Sequence, residues 1–191
     1  MDLIYLNGPS SAGKTSIART LQDVLDEPYL YLGVDMLMDM MPARTNRWDG
    51  VFEAEGFSWR PAVLPDGGTG MQVVGGKYGR SVEALFRDLA ASCVATGHRL
   101  IIDNADGAAE LSRWQARFAA AATCFVGVHC PLETLRQREA VRPDRMPGSA
   151  AEQYFRVHLD CVYDITVNTG QDSVKDCAER IAAFVPGAAT N

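Results

Sequence analysis

A short glycine-containing motif near the N-terminus constrains the fold of this chain more than any other feature. It reads Gly8-Pro9-Ser10-Ser11-Ala12-Gly13-Lys14-Thr15. An apolar run at residues 3–6 precedes it, and a segment with apolar residues at helical spacing, 16–25, follows it. A strand, a tight glycine loop and a helix, in that order, form the context in which this motif binds a polyphosphate. The sequence therefore predicts a fold that opens with a strand, a phosphate-binding loop and a helix.

The residue types in this loop suit a nucleoside triphosphate. Gly8 and Gly13 allow the backbone to turn tightly and to point its N–H groups inward, and the helix that follows adds its positive end. Lys14 can reach the β- and γ-phosphates, and the Thr15 hydroxyl can bind Mg²⁺. We therefore expect ATP and Mg²⁺ as ligands; the alternative is a chance glycine-rich turn. The predicted ATP-binding residues are Gly8, Pro9, Ser10, Ser11, Ala12, Gly13, Lys14, Thr15 and Ser16.

The rest of the chain alternates between strand-like and helical patterns. Five apolar runs are predicted to be strands, at residues 3–6, 29–34, 100–102, 124–128 and 165–167. Helical patterns separate them, which is typical of an α/β fold with three layers and a mainly parallel sheet of five strands. A length of 191 residues suits one well-buried core, so we expect a single domain over residues 1–191.

Composition excludes several other classes of protein. The net charge of −6 argues against a nucleic-acid-binding protein that uses a large basic surface. No apolar run is long enough to span a bilayer, and the first strand begins at once, so we expect no signal peptide, no membrane partner and a cytoplasmic protein. The cysteines are odd in number and widely spaced, and the three histidines are scattered, so neither a disulfide framework nor a zinc site is predicted.

Two aspartates follow predicted strands at the sheet edge where the phosphate-binding loop lies. Asp103 is suited to Mg²⁺, directly or through water, although Asn104 or Asp106 could share that role and a helix cap is the alternative. Asp35 would lie near the γ-phosphate, where a carboxylate could orient an acceptor hydroxyl and accept its proton. The alternative for Asp35 is an N-cap of a helix that begins at Met36.

A group of arginines follows the fourth predicted strand: Arg136, Arg138, Arg142 and Arg145. Because a phosphate-binding loop is present, we expect the segment at about 136–149 to be a lid that closes over the triphosphate. Arg138, Arg142 and Arg145 would then neutralise charge in the transition state. The alternative is a solvated helix face paired with neighbouring glutamates.

The segment at about 43–78 interrupts the alternation of strands and helices. It is rich in aromatic residues and glycine and has no sustained period, so no regular strand or helix is predicted there. A connection of this length is rarely without a role, and its aromatic side chains could line a pocket for an acceptor or pack the insertion onto the domain. The pocket residues expected here are Trp48, Phe52, Phe57 and Trp59.

Taken together, these motifs resemble the chloramphenicol phosphotransferase family, which are small P-loop kinases related to nucleotide and shikimate kinases. The resemblance rests on the segments 6–15, 33–35, 101–103, 126–130, 138–145 and 157–169. It implies a nucleotide-kinase-like P-loop fold, ATP-dependent phosphorylation of the primary hydroxyl of chloramphenicol, and Asp35 as the general base. The chain departs from the family pattern at Asn104, where a second acidic residue is usual, and in the insertion. The remaining alternatives are a kinase of another small alcohol, sugar or nucleotide sugar, and a nucleotide-dependent switch with no acceptor.

Overall fold

The computed structural model describes residues 1–49, 55–142 and 146–185 of the chain. Its strands, in chain order, are β1 (Leu3–Asn7), β2 (Tyr29–Gly33), β3 (Phe57–Val63), β4 (Thr69–Gly75), β5 (Arg99–Asn104), β6 (Thr123–His129) and β7 (Ile165–Asn168). Its helices are α1 (Lys14–Val24), α2 (Val34–Asp39), α3 (Lys77–Ala95), α4 (Ala108–Arg117), α5 (Leu132–Ala140), α6 (Ser149–Arg156) and α7 (Val174–Phe184). A short 3₁₀ helix occupies Ala43–Thr45.

Five of the strands form one parallel sheet in the order β2-β5-β1-β6-β7. β1 lies in the centre, and all five of its residues are buried, because helices cover both faces of the sheet. The α/β fold and the five-stranded parallel sheet expected from the sequence are therefore confirmed. Since the strands are parallel, their carboxyl ends meet at one edge, and the ligand site of such a sheet lies there.

The two faces of the sheet carry separate apolar layers. On one face, α1 and α7 contribute Ile17, Leu21 and Ile181, which pack with Ile4 and Leu6 of β1. The layer on the other face comes largely from α3 and α4, whose buried residues Val82, Phe86, Leu111 and Trp114 pack with Leu3, Tyr5 and Ile102. Alternate residues of β1 thus serve opposite layers, as strand geometry requires. No helix among residues 1–49, 55–142 and 146–185 is long and apolar enough to cross a membrane.

The insertion contains regular structure that the sequence prediction missed. β3 and β4 pair antiparallel, with Phe57 opposite Gly75 and Val63 opposite Thr69. The turn between the two strands contains the residues that could have indicated a hairpin. Gly67 has a φ of 81°, and the Gly68 backbone N–H donates to the Asp66 side chain at 2.9 Å. A Pro-Asp-Gly-Gly turn between two apolar runs is typical of a hairpin. The sequence analysis assigned no strand or helix to 43–78 and therefore missed this hairpin.

Several helix boundaries also differ from the predictions. α2 begins at Val34, directly after the strand, and its N-cap is Gly33. Asp35 consequently lies within the first helical turn, so its alternative assignment as the N-cap was wrong. A carboxylate in that turn faces the positive end of the helix dipole, which explains why the helix tolerates an aspartate there. α7 begins after Ser173, whose hydroxyl accepts from the Asp176 backbone N–H in a capping box.

Candidate active site

The phosphate-binding loop joins β1 to α1 and has the tight curvature that its glycines predict. Gly13 has a φ of 87°, in the left-handed region that favours glycine, and Ser11 adopts a φ of 64° beside it. At Gly8, a Cβ atom would lie 2.4 Å from the carbonyl oxygen of Val128. Gly13 is therefore required by its backbone conformation, and Gly8 is required because β6 passes close to it.

Donor groups of the loop fit an anionic ligand. The hydroxyl oxygens of Ser10 and Ser11 are buried and have no hydrogen-bond partner among the described residues. Lys14 lies alongside, and its ammonium group donates to the carbonyl oxygens of Gly8 at 2.8 Å and Pro9 at 3.0 Å. Buried polar groups without partners are costly, so a ligand rich in acceptor oxygens suits this loop. The small pocket that it lines has a volume of about 120 Å³ and also includes Arg142.

The two residues predicted to hold the metal are brought together. The Thr15 hydroxyl donates to Asp103 Oδ2 at 2.7 Å, and the Tyr31 hydroxyl donates to the same oxygen at 2.8 Å. Burial, together with the nearby Asp103 charge, raises the pKa of Tyr31 to about 12, so this phenol remains a donor. A hydroxyl and a carboxylate on one pocket wall are oxygen ligands of the kind that Mg²⁺ prefers, so these residues fit the ion. Asn104 donates instead to Asp106 at 3.0 Å.

Asp35 lies where two pockets meet. It lines the small phosphate pocket and also a cavity of about 1170 Å³, together with Ser10 and Gln153. Its side chain is exposed, so it is accessible from both pockets. A carboxylate at such a junction is positioned between a phosphate donor on one side and an acceptor molecule on the other.

The large cavity includes three of the four aromatic residues predicted for an acceptor pocket. Trp48, Phe57 and Trp59 line it, and the rings of the two tryptophans lie 5.7 Å apart at an angle of 54°. Phe52 lies outside the described residues. The hairpin of β3 and β4 forms one wall, and α2, α3, α4 and α6 contribute to the others. The missed hairpin is therefore the element that encloses this cavity.

The predicted lid arginines occupy different places. Arg138 holds the phosphate-binding loop to the end of β7: it donates to the Thr169 hydroxyl at 3.1 Å, the Thr169 carbonyl at 2.9 Å and the Ser11 carbonyl at 3.3 Å. Arg142 lines the phosphate pocket, and Arg136 forms a 3.8 Å ion pair with Asp66 of the hairpin turn. Arg145 lies outside the described residues. Arg138 thus contacts the loop itself, whereas Arg142 lies where a phosphate would be bound.

Sequence reasoning did not identify the contribution of α6 to the site. The Gln153 side-chain carbonyl accepts from the Ser10 backbone N–H at 2.6 Å, which joins this helix to the phosphate-binding loop. The start of α6 is held by Glu139, whose carboxylate accepts from Gly148 N, Ser149 Oγ and Ala150 N at 2.7–2.8 Å. Gln153 has no distinctive sequence signal, because it acts through a contact across 143 positions, and Glu139 was noted only as part of the family resemblance at 138–145.

A buried polar network supports the segment after β5. The Asn7 side chain donates to the Asp106 carbonyl and to the Tyr163 hydroxyl, each at 2.9 Å, and accepts from the Asp106 N–H at 2.8 Å. Tyr163 contacts His158 at 2.9 Å, whose ring stacks on His129 with centroids 3.9 Å apart. Burial, with a smaller contribution from His129, lowers the pKa of His158 to about 4, so the imidazole is neutral. His158 and Tyr163 belong to the C-terminal segment that carries the family resemblance.

Comparisons with known proteins identify the family and similar sequences. The family model described as chloramphenicol phosphotransferase-like protein matches residues 1–186. Two Mycobacterium tuberculosis proteins, from different strains and provisionally described as O-phosphotransferases, are 29% identical over 193 residues, spanning 94% of this chain and 80% of theirs.

Solved structures of kinases share the fold. A sugar kinase from Janibacter has a TM-score of 0.64 at 15% identity and covers 100% of this chain and 99% of its own. The APS kinase of Mycobacterium tuberculosis has a TM-score of 0.63 at 14% identity, and the match covers 96% of both chains. At these identities the likeness shows the fold alone.

Proposed function

The chain belongs to the chloramphenicol phosphotransferase-like family of small-molecule phosphotransferases, and from this membership we propose that it transfers the γ-phosphate of ATP to a hydroxyl group of a small molecule. The position of Asp35 is the observation that carries the proposal. This carboxylate faces both the phosphate pocket and the large cavity, so an acceptor in the cavity would meet the triphosphate beside it. The whole chain acts as one kinase domain, with the insertion on the acceptor side and 136–149 as the lid.

In the proposed reaction, the acceptor hydroxyl oxygen forms a bond to the γ-phosphorus, and the bond from that phosphorus to the β–γ bridging oxygen breaks. ADP leaves with the electron pair, and the hydroxyl proton passes to the Asp35 carboxylate. Phosphoryl transfer has a loose transition state, so orientation of the hydroxyl matters more than the strength of the base.

The remaining residues bind and position the nucleotide. Lys14, the loop N–H groups and the hydroxyls of Ser10 and Ser11 donate to phosphate oxygens, and Arg142 balances charge from the lid side. Thr15 and Asp103 would hold Mg²⁺, which supplies charge neutralisation between the phosphates. Arg138 and Gln153 keep the loop in place through Thr169 and the Ser10 N–H, so they position the nucleotide indirectly.

The family makes the primary hydroxyl of chloramphenicol the first acceptor to examine. A cavity of about 1170 Å³ is slightly larger than the range of roughly 300–1,000 Å³ that is usual for drug-sized ligands, and two tryptophans and a phenylalanine in its wall suit an aromatic molecule. These features support an organic acceptor of that size over a very small alcohol.

Mass spectrometry tests this proposal directly. The purified protein is incubated with Mg-ATP and chloramphenicol, and a product heavier by one phosphate, together with ADP, is the expected result. If ADP forms only with another hydroxyl compound, the enzyme class stands and chloramphenicol is rejected as the acceptor. Slow ATP hydrolysis that no hydroxyl compound alters would overturn the proposal in favour of a nucleotide-dependent switch.

A further inference from the structure

The phosphate pocket and the large cavity share a short stretch of wall. Among the described residues, those that line both are Ser10, Val34, Asp35, Ala105 and Gln153. Val34 and Ala105 have apolar side chains, and Asp35 is the proton acceptor of the proposed reaction. Ser10 and Gln153 are therefore the side chains at this boundary that can donate hydrogen bonds to a phosphate group that passes from one pocket to the other.

The carboxamide of Gln153 has a defined orientation. One of its two ends faces the Ser10 backbone N–H at 2.6 Å, and a backbone N–H can only donate, so this end is the carbonyl oxygen Oε1. Nε2 is consequently the other end of the amide. It donates to no group within 1–49, 55–142 and 146–185, and it remains accessible because Gln153 is only half-buried. Its N–H donors are thus available to a ligand in the pockets that Gln153 lines.

The hydroxyl of Ser10 provides a second donor at the same place. It is buried and has no hydrogen-bond partner in the described part of the chain. The bond from the Ser10 N–H to Gln153 places this residue directly beside the carboxamide. Because a buried hydroxyl without a partner is costly, a ligand with several acceptor oxygens suits the pair of donors.

The helix that carries Gln153 is anchored on both sides of this residue. At its start, the Glu139 carboxylate accepts from two backbone N–H groups of 148–150 at 2.7 and 2.8 Å. At its end, Arg156 donates to the Ala105 carbonyl oxygen at 3.4 Å. A side chain on a helix that is held in this way is positioned more precisely than one on a loop. Gln153 is therefore oriented before any ligand binds.

We propose that Gln153 is a catalytic residue whose Nε2 donates to a non-bridging oxygen of the γ-phosphate. The inference rests on the proposed function and adds a direct contact to the indirect role of Gln153 in holding the loop. The γ-phosphate is the group that the acceptor must reach, so it lies at the boundary of the two pockets. A donor fixed there in advance stabilises the charge on the oxygens of the transferred phosphoryl group. ADP has no phosphate at this position.

A comparison of two nucleotides tests the contact. Calorimetry measures binding of Mg²⁺-ADP and of the Mg²⁺ complex of the non-hydrolysable β,γ-imido analogue of ATP. Gln153→Glu keeps an acceptor for the Ser10 N–H but replaces the Nε2 donor by an oxygen. Gln153→Met removes both hydrogen bonds and adds no charge. We expect each variant to lower the ratio of analogue affinity to ADP affinity about tenfold or more, because a hydrogen bond to a charged oxygen is lost.

The affinity ratio distinguishes this contact from a merely structural role. A residue that only holds the loop would change the affinities for both nucleotides by the same factor. Gln115→Glu is the matched control, because Gln115 donates through Nε2 to the Val162 carbonyl oxygen at 3.3 Å and lies outside both pockets. The control should leave the ratio unchanged. A ratio that falls only in Gln153→Glu would reflect the added charge and would overturn the inference.

The outcomes also separate the inference from the proposed function. A lower ratio in both Gln153 variants, with no phosphate transfer by the wild-type protein to any hydroxyl compound, would support the contact and contradict the proposed reaction. Transfer by the wild-type protein with an unchanged ratio in Gln153→Met would support the reaction and overturn the inference. Tighter binding of both nucleotides to Gln153→Met would show that Oε1 occupies a phosphate position, which also overturns it. A wild-type protein that binds neither nucleotide would overturn both.

Discussion

The Thr15 hydroxyl donates a hydrogen bond to Asp103 Oδ2 across 2.7 Å, although the two residues are 88 positions apart. The sheet brings them together because β1 and β5 are parallel neighbours, with Leu6 of β1 opposite Asp103. The phosphate-binding loop leaves the end of β1, and α1 begins directly beside the end of β5. The proposed metal site is thus a consequence of strand order.

Asp103→Asn should weaken Mg²⁺ binding more than ATP binding. The substitution keeps an acceptor for Thr15 and Tyr31 but removes the negative charge that a divalent cation requires. We expect the Mg²⁺ concentration for half-maximal activity to rise about tenfold or more. The measurement is a Mg²⁺ titration of turnover at fixed ATP, with Tyr31→Phe as a control that removes only a hydrogen bond. An unchanged Mg²⁺ requirement in the asparagine variant would exclude Asp103 from the metal site.

Lys14→Ala should impair both nucleotide binding and turnover. The ammonium group lies within the loop, near the carbonyl oxygens of Gly8 and Pro9, where it could turn to the phosphates of a triphosphate in the loop. We expect ATP affinity to fall about tenfold or more and turnover to fall further. Calorimetric titration with ATP measures the first effect. Lys175→Ala, on the exposed surface of α7, serves as the control, and equal behaviour of the two variants would contradict the role of Lys14.

Asp35→Asn should separate binding from chemistry. Asp35 lies at the opening between the two pockets, so its replacement leaves the phosphate-binding loop intact but removes the proton acceptor. We expect unchanged ATP affinity and a loss of phosphate transfer by a factor of about a hundred or more. Asp39→Asn tests specificity, because Asp39 lines only the large cavity. Wild-type turnover by the Asp35 variant would refute its assignment as the base.

The phosphate-binding loop and the parallel sheet could be predicted from the sequence because their signals are local. A run such as residues 3–7 is apolar throughout, and the glycine spacing at 8–13 follows directly from backbone constraints. Asp103 could be placed at the loop because strand ends in a parallel sheet share one edge. The tail residues His158 and Tyr163 were recognisable only through the family resemblance.

The walls of the large cavity were less predictable because they depend on contacts between distant segments. Pro61 weakens the strand pattern in the sequence, although β3 runs unbroken through it. The clear sequence signal of the hairpin is limited to the turn at Asp66-Gly67. Gln153 contacts the loop through one side-chain hydrogen bond to Ser10, which lies 143 positions earlier in the chain. A contact of this kind leaves no periodic pattern in the sequence. Asp106 was considered as a metal ligand, yet the short segment after β5 directs it into the cavity, away from Thr15.

Glu139→Gln should destabilise the protein and weaken ATP binding together. The Glu139 carboxylate accepts three hydrogen bonds at the start of α6, and the amide can accept on only one of its two positions. We expect a loss of about 1–3 kcal/mol in the free energy of unfolding, measured by urea titration. Because α6 also carries Gln153, the KM for ATP should rise. Glu133→Gln, on the exposed side of α5, should leave both quantities unchanged.

Asp106 gives the protein a stability that depends on pH. Burial raises the pKa of this carboxyl from 3.8 to about 6 in the folded state, with the Glu110 charge acting in the same direction. A raised folded pKa means that the folded protein binds the proton more tightly than the unfolded chain does. The stabilisation that protonated Asp106 gives the folded state is therefore fully present below about pH 4. It is lost as the pH rises through about 6.

Asp106→Asn should remove that pH dependence, because an amide stays neutral throughout. A pKa displacement of this size corresponds to about 3 kcal/mol at most, so the variant should gain up to that amount relative to wild type at about pH 8 and little at about pH 4. Urea titrations at several pH values measure the free energy of unfolding of both proteins. The contributions of all other titrating groups are the same in the two proteins and cancel in the difference. A difference that stays constant from pH 4 to pH 8 would show that Asp106 is ionised normally within the cavity.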